Sequence, residues 1–413
     1  MDLTIFQARL ANNDRMVNIG IENGKIVSIR EEDIPSGRQT IDAQGAMLSP
    51  AFVDPHFHLE NALLNETANQ SGTLQEAIQI YAAIKRDMSK SNIMERASRA
   101  LRLAAANGTL WMRNHVDIDQ VAKLRLLEAI CEVRSEFTGI IDIQIIAFPQ
   151  LGLAKNPEAV DLMWQAMEKG ANVVGGMPHG EHDLADAARH IEIAFEIACA
   201  RKADIDMHID ETDDPYWTTL ELLADKTIEM GYQGKVTAGH CCAMAGWDDR
   251  TAARVIEKVR KAEINVVTNS PVNLLLQGRH DSQPVRRGIT RVKELLEAGV
   301  NVACGQDDLM NMFYPFGCMD MLEVANFVAH AAHLSSQEHM QAAFDMPRSH
   351  AARVMHIANY GIYEGADANL VLIPASSAAD ALARHPIRTH VIRHGQILVQ
   401  NRFETIFNPQ VLA

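Results

Sequence analysis

Cysteine is scarce in this chain. Cys131, Cys199, Cys241, Cys242, Cys304 and Cys318 form neither a CxxC pair nor a framework spacing, which excludes a disulfide scaffold and leaves reduced thiols in the cytosol as the expected state. Positive charge is also short: 38 Lys and Arg face 53 Asp and Glu, a formal net charge of −15. No basic cluster is present to meet a phosphate backbone or an anionic bilayer, so nucleic acid and membrane are excluded as partners, and a neutral or cationic small molecule is expected instead. No apolar window approaches the length of a membrane span, and the opening MDLTIFQARL has no basic segment followed by a long apolar stretch. The protein is therefore expected in the cytoplasm. Low-complexity segments and long linkers are missing as well, and the only internal repetition is an alternation of strand-like and helix-like stretches.

That alternation organises the chain. Eight apolar runs of strand length and β-branched content are MLSPAFVDPHFH, TLWMRNHVDI, IDIQIIAFPQ, NVVGGMPH, DIDMHIDE, KVTAGH, INVVTNSP and NVACGQDD. Between them apolar residues recur at helical spacing, as in AVDLMWQAMEK (159–169) and VKELLEAG (292–299). Eight strand-helix units in roughly 300 residues predict an α/β fold whose parallel strands close into a (β/α)8 barrel. Of 413 residues, 47% hydrophobic, more remain than one barrel needs. Residues 1–48 and 358–413 read as short strands and turns, and are expected to pair as one small discontinuous β-sandwich domain beside a barrel spanning 49–357.

The strand ends carry the chemistry. Barrel active sites sit where the strands end, and His56 and His58, two apart on one strand, share a face that in a barrel can be the lumen. An isolated HxH is equally consistent with one pocket histidine and one hydrogen-bonded core residue. Here, however, His208 ends the fifth run and Asp307 the eighth. Three imidazoles and a carboxylate suit one borderline divalent cation, zinc or ferrous iron, with room for a water whose pKa the ion lowers. His240, ending the sixth run, is placed to orient that water. Glu211 follows His208 closely enough to shuttle protons, although it also lies in the acidic run 210–214, whose Asp210, Asp213 and Asp214 read as rim. His115 and His179 at other strand ends read as pocket-lining or core, and Asn273, Gln277 and Arg279 as loop.

The segments PHFHLE, AFPQ, HIDETDD, GHCCAM, PVNLLLQGRHD, RRGITRVKELLEAG and GQDD resemble the bacterial cytosine deaminase branch of the amidohydrolase superfamily, and NQSGTL, HVD and YGIYEGADANLVLIPA extend the resemblance over nearly the whole chain. It implies that His56, His58, His208 and Asp307 are metal ligands and that Glu211 transfers protons. His240 and Asp307 would share activation of the water. Gln150 would bind substrate, presenting a donor and an acceptor to a cis-amide edge. Asp308 would face the ring and Phe148 would form part of its wall. The fourth run has no lysine to bridge two metals, which favours a single ion. His58-Leu59-Glu60 matches half of the other zinc deaminase signature, but PCxxC is absent.

The chain departs from that pattern at Phe313, where a tryptophan is common, at Gln306, at 61–68 (NALLNETA) and at Cys241-Cys242. The implied reaction is hydrolytic deamination of an aminated heterocycle, cytosine or a close analogue. 5-Methylcytosine, isocytosine, isoguanine, creatinine and pterins stay open as alternative rings. A ring-opening amide hydrolase would use the same machinery without releasing ammonia. A noncatalytic binding protein should have lost a ligand or the acid, and all five residues are present. A homo-oligomer is expected by analogy alone.

Overall fold

The computed structural model describes residues 1–11, 15–65 and 68–407, so Glu66 and Thr67 of the departing segment 61–68 lie outside the described residues. Among the described residues the strands are β1 (Leu3–Leu10), β2 (Met16–Glu22), β3 (Lys25–Arg30), β4 (Gln39–Asp42), β5 (Met47–Pro50), β6 (Phe52–Phe57), β7 (Thr109–Asp117), β8 (Asp142–Phe148), β9 (Val173–Gly176), β10 (Asp204–Ile209), β11 (Val236–His240), β12 (Asn265–Thr268), β13 (Val302–Cys304), β14 (Leu370–Ile373), β15 (His390–Arg393) and β16 (Gln396–Gln400). They divide into two sheets and the chain into two compact units.

One unit comprises Met1–Ala51, Ala105–Gly108 and the chain from Asn359 on. Its strands form one continuous sheet in the order β16-β15-β14-β5-β1-β2-β3, with β4 also paired to β1. Alternating residues supply its core: Leu3 and Ile5, Val17, Ile19 and Ile21, and Leu370 and Leu372. The run MLSPAFVDPHFH, read from sequence as one strand, is two. β5 pairs with β14 through Pro50 opposite Leu370 and Ser49 opposite Val371, so the break between units falls at Ala51 and Phe52.

The other unit, Phe52–Ala104 with Thr109–Ala358, is the expected barrel: β6 to β13 lie in chain order, every neighbouring pair parallel. Closure is made at the far ends of the first and last strands. Asp307 N–H donates to His56 O at 2.8 Å, and His58 N–H donates to Asp307 O at 3.0 Å. The helical spacing at 159–169 becomes the helix Pro157–Lys169, opened by proline at its first turn, where no N–H is needed. VKELLEAG becomes the helix Val292–Glu297. No helix among the described residues is long and apolar enough to cross a membrane.

Strand alternation makes the lumen polar. Asp54 and His56 on β6, Arg113, His115 and Asp117 on β7, and Asp206 and His208 on β10 are all buried at alternate positions, while Met207 and Ile209 fall between them. Arg113 ties this column together. It donates to Gln144 Oε1 and Asp206 Oδ2, each at 2.9 Å, and to Val354 O at 3.0 Å. Burial raises the Asp206 carboxyl, and the Arg113 guanidinium opposes that. Removing one member of a buried ion pair strands the other, which costs about 3–5 kcal/mol. Arg113→Leu should therefore destabilise the protein by about that amount in denaturant unfolding, and Arg113→Leu with Asp206→Leu by less than the single change; a double variant at least as unstable as the single would show that the pair is not coupled.

Candidate active site

The four residues read as ligands converge at the C-terminal ends of their strands. One ligand atom from each of His56, His58, His208 and Asp307 lies within 4.8 Å of the others, and all four residues are buried. His58 Nε2 and His208 Nε2 are 3.2 Å apart. Asp307 Oδ1 is 3.4 Å from His56 Nε2 and 3.6 Å from His58 Nε2. Among the described residues neither ring nitrogen of His56 has a hydrogen-bond partner, and His208 Nδ1 has none. Buried polar atoms are normally paired, so the bare nitrogens of His56, together with two imidazole Nε2 atoms that face one another beside the Asp307 carboxylate, fit a cation. Gly239 makes room for this packing: a Cβ there would meet His56 Cε1 at 2.9 Å.

The electrostatics agree. Burial first, then the charges of neighbouring imidazoles, holds the His208 ring well below its ordinary value, so it stays a neutral donor. For Asp307, burial works to raise the carboxyl, but His240, His56 and His58 outweigh it and keep it ionised. Burial opposes a charged His58, yet Glu60, Asp308 and Asp307 prevail and raise the ring to about 9. Glu60 is fully buried, and one of its oxygens lies 3.8 Å from His58 Nδ1. Without a cation this ring therefore carries protons on both nitrogens, and an ion held at Nε2 would displace one of them while Glu60 faces the other on Nδ1.

Glu211 and His240 stand beside this tetrad, with His240 Nδ1 3.3 Å from Glu211 Oε1 and 3.9 Å from Asp307 Oδ2. His240, the last residue of β11, and Asp307, three residues past the end of β13, lie in the left-handed region, at φ 67° and 68°, a conformation uncommon outside glycine and often found at functional sites. The His240 ring is flanked by the amides of Asn269, 3.2 Å from Nε2, and Asn273, 3.1 Å from Nδ1. The nitrogen of each amide faces the ring, and a neutral imidazole has a single acceptor, so one of these contacts is a hydrogen bond and the other ring nitrogen keeps its proton. Asn273, read from sequence as loop, is thus buried on the helix Ser270–Leu276 and also reaches Glu211 Oε1 at 3.4 Å. Burial raises the Glu211 carboxyl far above its ordinary value, and Asp307 and Asp308 raise it further.

A pocket opens over the tetrad. Its polar lining includes Gln150, Glu211, Asp307 and Asp308, and its apolar lining Leu74, Met177, Leu276 and Phe313. Gln150 Oε1 is buried without a partner among the described residues. Asp308 Oδ1 accepts from Asn311 Nδ2 at 2.6 Å. Phe313 packs edge-on to Tyr81, ring centroids 6.1 Å apart. Phe148, expected in the wall, lies behind His208, the two rings stacked at 4.2 Å. His115 is likewise beneath the site, its ring 4.1 Å from that of His56. Asp210 is no rim residue: fully buried, it accepts from Thr219 N and Leu220 N, each at 3.0 Å, at the start of the helix Thr219–Glu229. Asp213, Asp214 and Trp217 do line the outer cleft, with His179 and Gln277. Leu74, Met177 and Leu276 were missed because periodicity does not distinguish a pocket-facing apolar residue from a core one, although Met177 directly follows a strand end.

The family model for the amidohydrolase family matches residues 95–399. The chain belongs to the amidohydrolase family. This amidohydrolase is 33% identical to a 5-methylcytosine deaminase from Klebsiella pneumoniae, solved with 5-fluorocytosine, with a TM-score of 0.95 over 98% of this chain and 100% of that one. It is 31% identical to a pterin deaminase of Rhizobium rhizogenes over 88% of this chain and 83% of the relative. It is also 28% identical to an N-isopropylammelide isopropyl amidohydrolase of Pseudomonas sp. (strain ADP), over 97% and 98%. The amidohydrolase is thereby a hydrolase acting on C–N bonds.

Two expectations follow. His208→Asn should lower bound divalent metal, measured by elemental analysis after dialysis; unchanged metal would remove His208 from the ligand set. The second concerns Glu181, which accepts from Leu153 N at 2.7 Å, Ala154 N at 3.1 Å and Lys155 N at 3.0 Å, and lies 2.7 Å from His190 Nδ1. Burial works to raise this carboxyl, but His190 and the backbone donors lower it from 4.5 to about 2. A depressed carboxylate stabilises the fold above its unfolded pKa and loses that effect as pH falls through the folded one. Wild type should exceed Glu181→Gln at neutral pH by an amount on the order of 1–3 kcal/mol. The gap should narrow at pH 4 and again at pH 3 in denaturant midpoints, and a gap independent of pH would refute it.

Proposed function

We propose that this amidohydrolase hydrolytically removes the exocyclic amino group of a small aminated N-heterocycle, cytosine or a close analogue such as 5-methylcytosine, and releases ammonia. The observation that carries this reading is Glu211: a buried carboxyl in the pocket wall, beside the tetrad, kept protonated by burial and by two neighbouring carboxylates. Such a group is an acid for a ring nitrogen. The named activities of the relatives support the same class of reaction.

One divalent ion, zinc or ferrous iron, is proposed at His56, His58, His208 and Asp307; when bound it supplies Lewis acidity that brings a water's pKa toward neutrality. Glu211 gives its proton to the ring nitrogen next to the aminated carbon, which makes that carbon electrophilic. His240, held by Asn269 and Asn273, orients the attacking water with Asp307. As the carbon becomes tetrahedral, Glu211 recovers one proton from the water and passes it to the amino group, which leaves as ammonia; the remaining hydroxyl proton returns to Glu211 as the carbonyl forms. Gln150, with its free buried oxygen, holds the amide edge of the ring, and Asp308 faces it. Leu74, Leu276 and Phe313 cover it and exclude bulk water.

Ammonia release by metal-replete protein from cytosine, 5-methylcytosine, isocytosine, isoguanine, creatinine and a simple pterin tests the proposal. Turnover of one of the pyrimidines is expected. Silence on every ring with metal verified in the protein would overturn it, and a product lacking ammonia would identify ring opening instead. Glu211→Gln should keep its metal and lose roughly 10²- to 10⁴-fold in kcat; retained turnover would take the proton transfer away from Glu211.

A further inference from the structure

We propose that Glu181 and His190 form a clamp whose task is to position Gln150 for substrate. The inference rests on the reading of Gln150 as the residue that recognises the ring. Gln150 leaves the end of β8 in a tight turn, its N–H donating to Phe148 O at 3.2 Å and Gly152 N–H donating to Pro149 O at 2.9 Å. Only Leu151 and Gly152 separate it from Leu153, the first of three successive N–H groups that point at the Glu181 carboxylate. The carboxylate occupies a backbone nest of the kind that elsewhere holds a bound anion.

His190 fixes the carboxylate from the other side. Met177 N–H donates to His190 Nε2 at 3.1 Å, so the neutral ring carries its proton on Nδ1 and gives it to Glu181 Oε1 at 2.7 Å. Burial favours that neutral ring. His190 belongs to the helix Leu184–Arg201, and Met177, like Gln150, lines the pocket. One buried dyad therefore sets the loop after β8, the loop after β9 and the helix that follows, and so the spacing between two pocket residues.

Gly152 makes the fit possible. Its φ is +92°, and a Cβ there would lie 2.7 Å from Glu181 Oε1. A side chain would both strain the turn and push the carboxylate out. None of this geometry contributes to the tetrad or to Glu211, so the dyad acts through Gln150 and Met177 and is a positioning device, separate from the groups that move protons.

The test is carried out on the full-length, metal-replete enzyme. Glu181→Gln keeps the shape but turns one acceptor oxygen into a donor facing the backbone N–H groups. KM for the best pyrimidine should rise at least tenfold, with kcat within about threefold and metal content unchanged. Hydrogen exchange of the Leu153, Ala154 and Lys155 amides should accelerate at the same time. Gly152→Ala, which leaves the charge in place, should reproduce both changes and serves if Glu181→Gln does not fold. Faster exchange with an unchanged KM would show that Gln150 is positioned by something else and overturn the proposal. Unchanged exchange would overturn the clamp itself. A wild-type enzyme silent on every ring would defeat the functional reading, while the exchange comparison, needing no substrate, would still decide the clamp.

Discussion

The backbone seam between the first and last barrel strands governs the rest of the site. Asp307 N–H to His56 O and His58 N–H to Asp307 O close the barrel through the residues whose side chains form the tetrad. Closure and ligand assembly are therefore one event. A shift of register by one residue would turn both histidines out of the lumen and leave the seam without its carboxylate. With the seam in place, His208 and Glu211 need only stand at the end of β10, and His240 at the end of β11, to meet the same cluster.

Identical side chains take opposite ionisation states around this seam, and their surroundings explain why. Glu211 shares its space with Asp307 and Asp308 and lies in a buried pocket, so its carboxyl is pushed up. Glu181 is surrounded by three backbone N–H groups and an imidazole N–H, so its carboxyl is pushed down in spite of burial. One is thereby suited to give protons and the other to hold a fixed charge. The imidazoles differ in the same way: the carboxylates around His58 raise it against the effect of burial, whereas His208 is lowered by burial and then by the imidazoles around it.

The pocket joins this polar floor to an apolar cover contributed by three separate segments, Leu74, Leu276 and Phe313. Arg113 lies farther down the lumen. It donates to Asp206 Oδ2 and the carbonyl of Val354 and so helps a polar column stand inside a barrel that would otherwise be filled by branched apolar side chains.

Much of this was readable in the linear chain. Apolar runs of strand length alternating with period-3.6 helices imply a parallel barrel because strands buried on both faces need helices to cover them, and His56, His58, His208, Glu211, His240 and Asp307 were visible as polar residues closing such runs. The sequence could not show that MLSPAFVDPHFH divides at Ala51, since β5 and β6 have the same texture and only their pairing partners differ. Nor could it show that Phe148 sits behind His208, that Asp210 is a buried helix cap, or that Asn273 reaches His240 and Glu211. Chemical type and strand-end position are properties of the chain itself. Which way a side chain turns after a strand ends, and which distant N–H it meets, depends on closure of the barrel, and that was decided by the tertiary structure alone.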